Sequence, residues 1–242
     1  MSRRTIAIAA ALSALALGSP LIAANANPLA DNIYNSGVDK YEQGDYQGAI
    51  ADFTKAIEIN PDFAGAFNGR GAAKDELADY QGAIADYAKA IEINPQYAEP
   101  YYNRGNSKRD QENYQGAIAD FTKAIEINPK YADAYNNRGN NKVYLKDYQE
   151  AIADFTKAIE VNPQYANAYN NRGNVKAKLK DYQGAIPDYT KAIEINPQYA
   201  VAYKNRGIAR EYANDLDGAC ADWKKAADMG IKEPAEWVKK QC

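Results

Sequence analysis

Asp45-Tyr46-Gln47-Gly48-Ala49-Ile50-Ala51-Asp52-Phe53-Thr54-Lys55-Ala56-Ile57-Glu58-Ile59-Asn60-Pro61 decides how this chain is read. It opens on Asp45, a residue type that caps helices. Ala49, Phe53, Ala56 and Ile57 follow at helical spacing and make one apolar stripe. Asn60-Pro61 ends the helix, because proline disfavours a helical residue before it and has no N–H to donate. The same text returns at 79–87, 113–121, 147–155, 181–189 and, degenerate, at 215–223. Pro61, Pro95, Pro129, Pro163 and Pro197 recur at an interval of 34. A period of this length marks a solenoid, in which each unit buries its apolar face against the next. The units are 30–63, 64–97, 98–131, 132–165, 166–199 and a degenerate 200–233.

Each unit reads as two helices. The second is the one quoted, and its caps are Asp45, Asp79, Asn113, Asp147, Asp181 and Asp215. The first keeps a glycine at one place: Gly37, Gly71, Gly105, Gly139, Gly173 and Gly207. Glycine inside a helix costs about 1 kcal/mol against alanine. Its retention predicts close approach to the paired helix, whose facing residues are taken to be Ala49, Ala83, Ala117, Ala151, Ala185 and Ala219. Pro187 inside the fifth unit's second helix should kink or loosen that helix.

Gly37, Ala49, Phe53, Ala56 and Pro61 lie at the spacing of the tetratricopeptide repeat, and the pattern recurs over about 204 of the 242 residues. The chain therefore resembles a tetratricopeptide-repeat protein. The resemblance implies an all-α, right-handed superhelical solenoid of six helix-turn-helix repeats, whose first helices line a concave groove for peptides or partner proteins. Residues 234–242 read as a C-terminal capping helix, with Trp237 and Val238 covering the last apolar face. The chain departs from the family before the glycine, where leucine is usual. Here stand Ser36, Arg70, Arg104, Arg138, Arg172 and Arg206. Every second helix carries an aspartate: Asp52, Asp86, Asp120, Asp154, Asp188 and Asp222. Pairing within a unit would strand Asp52 opposite Ser36. Counting therefore favours pairs across each junction, Arg70 with Asp52, Arg104 with Asp86, Arg138 with Asp120, Arg172 with Asp154 and Arg206 with Asp188. Five solvated arginines are the plainer alternative.

Groove-facing residues in the resembled family include the sixth position of each first helix, here Asn35, Gly69, Asn103, Asn137, Asn171 and Asn205. One turn on lie Asn106, Asn140 and Asn174. A carboxamide both donates and accepts, so a ladder of them suits an extended peptide backbone. Residues kept by duplication alone are the alternative. Tyr102 and Tyr144 break the repeat pattern and join the groove candidates. The cations of a carboxylate clamp are absent: Tyr102 and Asn136 stand at one of its positions, Glu99, Asp133 and Asn167 at the other.

Arg3 and Arg4, the apolar run Ile6–Leu17, the break at Gly18-Ser19-Pro20 and Ala24-Asn25-Ala26 match a secretory signal peptide over residues 1–26, with cleavage before Asn27 and a short leader at 27–29. The mature chain is expected in a periplasmic, extracellular or thylakoid-lumen-like compartment, with no membrane contact. Cys220 and Cys242 are the only cysteines. Two antiparallel helices meeting near residue 231 would bring them level, which in an exported protein favours a disulfide over two free thiols.

The chain has no histidine and a formal net charge of -3. It lacks a nucleophile elbow, a phosphate loop and a spaced ligand cluster, so no enzyme, cofactor or metal site is read from it. Its mildly acidic balance disfavours nucleic acid. The expected function is a non-catalytic exported scaffold for proteins or extended peptides, with self-association left open. A cation-sequestering carrier using acidic groove residues such as Asp75, Glu76, Glu99 and Asp110 is the alternative.

Overall fold

The computed structural model describes residues 27–234, 237 and 242. The expected signal peptide and Val238 lie outside the described residues. Among the described residues the regular structure is all helical. The helices group into two compact units, one ending at Pro129 and one beginning at Lys130. The N-terminal unit holds α1 (Pro28–Glu42), α2 (Tyr46–Ile59), α3 (Ala64–Glu76), α4 (Tyr80–Ile93), α5 (Ala98–Asp110) and α6 (Tyr114–Ile127). The C-terminal unit holds α7 (Ala132–Tyr144), α8 (Tyr148–Val161), α9 (Ala166–Lys178), α10 (Tyr182–Ile195), α11 (Ala200–Tyr212) and α12 (Leu216–Asp228). Residues 232–234 and Trp237 are helical as well. Within each unit, three hairpins stack in order. The second helix of one packs on the first helix of the next, and successive first helices touch.

The core of every hairpin is one aromatic ring on the second helix. Phe53, Tyr87, Phe121, Phe155, Tyr189 and Trp223 are all buried. The repeated glycine faces this ring. A Cβ at Gly37 would stand 2.8 Å from Phe53, at Gly71 2.7 Å from Tyr87, and at Gly173 2.8 Å from Tyr189. The paired alanine is met at Gly207, where Ala219 O would lie 3.2 Å from a Cβ, but at the other five the nearest atoms are those of the ring. The glycine gives room to the aromatic ring, and the cost of its backbone freedom is offset by burying that ring.

The arginine pairs also differ from expectation. Arg70 binds Asp86, not Asp52, and Arg104 binds Asp120, not Asp86. Arg138 binds Asp154 rather than Asp120, Arg172 binds Asp188 rather than Asp154, and Arg206 binds Asp222 rather than Asp188. Each is a two-pronged contact within one hairpin, with Nε and Nη2 donating over 2.6–3.0 Å. Asp52 is not stranded. Ser36 Oγ donates to it at 2.7 Å and Lys40 Nζ at 2.6 Å. Lys40 begins a second cationic row, one helical turn past the arginine position. Lys74, Lys108, Lys142, Lys176 and Arg210 each reach the same aspartate as the arginine before them. The guanidinium groups also lie over aromatic rings three residues earlier, Arg70 over Phe67 and Arg172 over Tyr169. Fastening to the preceding hairpin does occur, through hydroxyls. Arg70 Nη1 donates to Thr54 at 3.2 Å, Arg172 to Thr156 at 3.0 Å and Arg206 to Thr190 at 3.1 Å. The threonine lies two residues beyond the aspartate of that hairpin. The backward reach of the fork therefore ends on it, while the aspartate of its own hairpin fills the other edge.

Two local departures matter. Pro187 leaves α10 unbroken, since the helix runs continuously from Tyr182 to Ile195. Pro187 is exposed, so the carbonyl it frees faces water, while Ala185, Asp188, Tyr189 and Ala192 are buried along the packed face. The turn inside each hairpin needs a left-handed residue. Gly44 supplies it without strain, but Ala78, Glu112, Lys146, Lys180 and Asn214 adopt φ of 60–66°, a conformation that is costly for residues with a Cβ.

Candidate functional site

The candidate surface is the face made by the first helices of each unit. In the N-terminal unit these are α1, α3 and α5. Asn35 is exposed on α1. Asn103 is buried at 2% exposure and donates to Asn68 Oδ1 at 3.1 Å. It therefore joins α5 to α3 and does not offer its amide to a peptide. Asn106 is half-buried and accepts from Arg109 at 3.2 Å. Tyr102 packs its ring 5.7 Å from Phe121, so it belongs largely to the interior.

In the C-terminal unit the face is α7, α9 and α11. Asn171 donates to Asn136 Oδ1 at 3.0 Å, and Asn205 donates to Asn174 Oδ1 at 2.9 Å and to Asn170 Oδ1 at 3.4 Å. Tyr189 Oη also donates to Asn174, at 3.0 Å. Asn137 accepts from Asn136 at 3.3 Å. Much of the asparagine row is thus a zipper between neighbouring first helices. The partners it zips to, Asn68, Asn136 and Asn170, sit one position earlier and were not among the sequence candidates. Asn136 and Asn170 each stand beside a second asparagine, whereas Asn68 stands beside Gly69 and carried no such signal. Asn140 is half-buried on the same face, with no side-chain hydrogen bond among the described residues, and Tyr144 is 62% exposed.

Of the four acids of the carrier reading, Asp75, Glu76 and Asp110 are each engaged by a neighbouring donor. Asp75 is buried at 5% exposure and accepts from Tyr87 Oη at 2.9 Å and from Ser107 Oγ. Glu76 accepts from Tyr41 Oη at 3.3 Å. Burial pushes the Tyr41 phenol well above its ordinary value, and Glu76 adds to this, so the hydroxyl remains a donor. Asp110 is paired with Arg109 at 3.1 Å. Among the described residues no three acidic or cysteine side chains gather as a ligand set. At the C-terminal end Cys220 and Cys242 are paired, with Cα atoms 5.8 Å apart.

The profile described as "Tetratricopeptide repeat" matches residues 98–131, 132–165 and 166–199, and one described as "TPR repeat" matches 37–75 and 76–108. Together they cover most of the chain. No curated protein sequence gives a significant match. Among solved structures, YrrB, described as a TPR protein with an unusual peptide-binding site, is 27% identical with a TM-score of 0.65, over 78% of this chain and 97% of its own. MamA is 28% identical with a TM-score of 0.64, over 72% and 94%. PilF of Pseudomonas aeruginosa superposes with a TM-score of 0.77 over 88% and 98% of the two chains, but at 19% identity it shows the fold alone.

Proposed function

Because the chain belongs to the tetratricopeptide-repeat family, whose members are generally protein-interaction scaffolds, we propose that it is an exported, non-catalytic scaffold that seats extended peptide segments on the α7–α9–α11 face. The observation that carries this reading is the asparagine zipper. Asn171 and Asn205 fix the neighbouring first helices to one another, while Asn140 and the exposed Tyr144 belong to α7, one of those helices. A pre-held surface loses less freedom on binding than a mobile one. The Asn140 carboxamide can donate and accept, as a peptide backbone requires, and the Tyr144 ring adds apolar area. The peptide-binding site of YrrB supports the same class of ligand. The sequence pattern of residues 1–26 and the pairing of Cys220 with Cys242 support export.

The test begins with crosslinking in the native compartment to capture the partner, followed by affinity measurements on variants. Asn140→Ala combined with Tyr144→Ala should weaken binding roughly tenfold, and Asn140→Ala alone should weaken it in part, with thermal unfolding followed for both. Asn171 is unsuitable for this purpose, since removing it also loosens α9 from α7. Unchanged affinity in the double variant would remove the α7–α9–α11 face from consideration. N-terminal sequencing of the mature protein should begin at Asn27, and retention of Met1 on the folded chain would count against export.

A further inference from the structure

The last hairpin differs from the others in how it treats the polar atom of its core aromatic. In the second unit Tyr87 Oη donates to Asp75, at the twelfth position of its repeat. In the fifth, Tyr189 Oη donates to Asn174, at the ninth. In the sixth repeat those positions are Glu211 and Ile208. Trp223 takes the place of the tyrosine, and its Nε1–H is buried with no acceptor among the described residues. A cavity of about 210 Å³ opens at this place, lined by Ile208, Glu211, Tyr212, Trp223 and Trp237. Buried donors without partners are rare, and this one lies against Gly207 of α11, so it is the indole ring and not its N–H that the cavity offers to a ligand.

The lining has a definite chemistry. Three of the five residues are aromatic. Trp223 and Trp237 meet edge to face at 5.3 Å, and Tyr212 is held by stacking on Tyr182 at 4.6 Å and 11°. Trp237 lines the cavity beside Trp223, and Cys242 is paired with Cys220 of α12. Among the described residues the lining contains one carboxylate, Glu211, and no cation; the nearby Arg210 is engaged by Asp215 and Asp222. Aromatic faces with a single negative charge attract a cation. A primary ammonium would bring three N–H donors to a lining with one anionic acceptor, and the others would have to be met by water at the open rim, where Tyr212 is 62% exposed. A quaternary ammonium carries charge without donors. The volume suits a head group and not a drug-sized ligand.

We propose that this cavity is a binding site for a quaternary ammonium head group, with Tyr212, Trp223 and Trp237 as the aromatic walls and Glu211 as the counter-charge. It is a different place from the α7–α9–α11 peptide face and does not depend on that reading. The head group can come from a free choline-like molecule or from a trimethylated lysine on a partner.

Trp223 and Trp237 are the only two tryptophans in the chain, so intrinsic emission reads this cavity directly. The full chain with its cysteines paired is titrated with choline chloride against sodium chloride at matched ionic strength. In a second arm it is titrated with a trimethyllysine peptide against the unmodified peptide, and calorimetry is run beside both. A saturable response specific to the quaternary ion is expected. Glu211→Gln and Tyr212→Leu should each weaken it about tenfold, with the unfolding midpoint of Glu211→Gln unchanged. Response to choline assigns the site to small molecules, and response to the peptide alone assigns it to a modified partner. The proposal is overturned if neither arm shows saturable binding, or if binding survives intact in both variants, which would place it elsewhere.

Discussion

Asp52 is held differently from its five equivalents. They receive an arginine fork and a second cation, whereas Asp52 receives one hydroxyl and one ammonium. Burial pushes its carboxyl up, but the hydrogen bonds from Lys40 and Ser36, with the charges of Lys40 and Lys55, outweigh that and hold it below the ordinary carboxylate value. A carboxylate whose folded value is depressed contributes stability that is complete above the unfolded value, about 3.9, and is lost as pH falls through the folded one. Asp52→Asn should therefore cost about 1–3 kcal/mol at pH 7. The gap to the native chain should close in acid, as pH falls below the unfolded value and then through the depressed folded one. Urea unfolding of both proteins from pH 7 to pH 2.5 checks this, and a pH-independent gap would show that the charge of Asp52 is immaterial. The sequence made the arginine and aspartate rows legible but not their pairing. Counting arginines left Asp52 unpartnered because it overlooked Lys40. A residue four places on shares a helix face, so the lysine row was there to be seen. What counting cannot supply is the rotation of one helix against the next, which decides that the fork meets its own hairpin's aspartate and only a threonine behind.

At the level of helices, the caps show how one substitution changes a repeated device. Asp45, Asp79, Asn113, Asp181 and Asp215 each accept from the N–H of the glycine three residues on. Asp147 makes no such bond, and the residue three on is Glu150. The cause is steric. A Cβ placed on Gly48, Gly82, Gly184 or Gly218 would collide with the capping carboxylate, so a residue with a real Cβ keeps the carboxylate away. Glu150 instead binds Lys142 at 3.0 Å. Asp181→Ala should then cost about 1 kcal/mol, the usual worth of a cap, while Asp147→Ala should cost only a small part of that. Thermal melts of the two variants, whose caps belong to the same compact unit, make the comparison, and equal losses would refute it. Helix limits were readable in advance because caps and Asn-Pro stops are local signals. The continuity of α10 through Pro187 was not, since the packed face that holds it depends on contacts with other helices. The groove asparagines differ for a related reason. Their spacing places them on the first helices, but whether an amide points at solvent or at Asn68, Asn136 or Asn170 is set by the distance between first helices, which a single repeat does not encode.

Over the whole chain, the two compact units differ in how they are closed and in what reports on them. Both tryptophans and both cysteines belong to the C-terminal unit. The N-terminal unit begins with α1, capped by Asn27, whose side chain accepts from the N–H of Leu29 and Ala30, with Pro28 in the first turn. The C-terminal unit ends in a segment tied back to α12 through Cys220 and Cys242, which lie 22 residues apart. In a stack of repeats, each hairpin is steadied by its neighbours, so a terminal one relies on whatever covers its outer side. Closing a loop of this length contributes about 3 kcal/mol in the loop-entropy model. Reduction should therefore shift the tryptophan-reported urea transition downward by about 1–2 M. The midpoint reported by total helix content, which averages both units, should move less. Cys242→Ser should behave like the reduced chain and be insensitive to reductant. If the tryptophan transition stays in place on reduction, the tie adds nothing to the C-terminal unit, and Trp237 is held over Trp223 by packing alone.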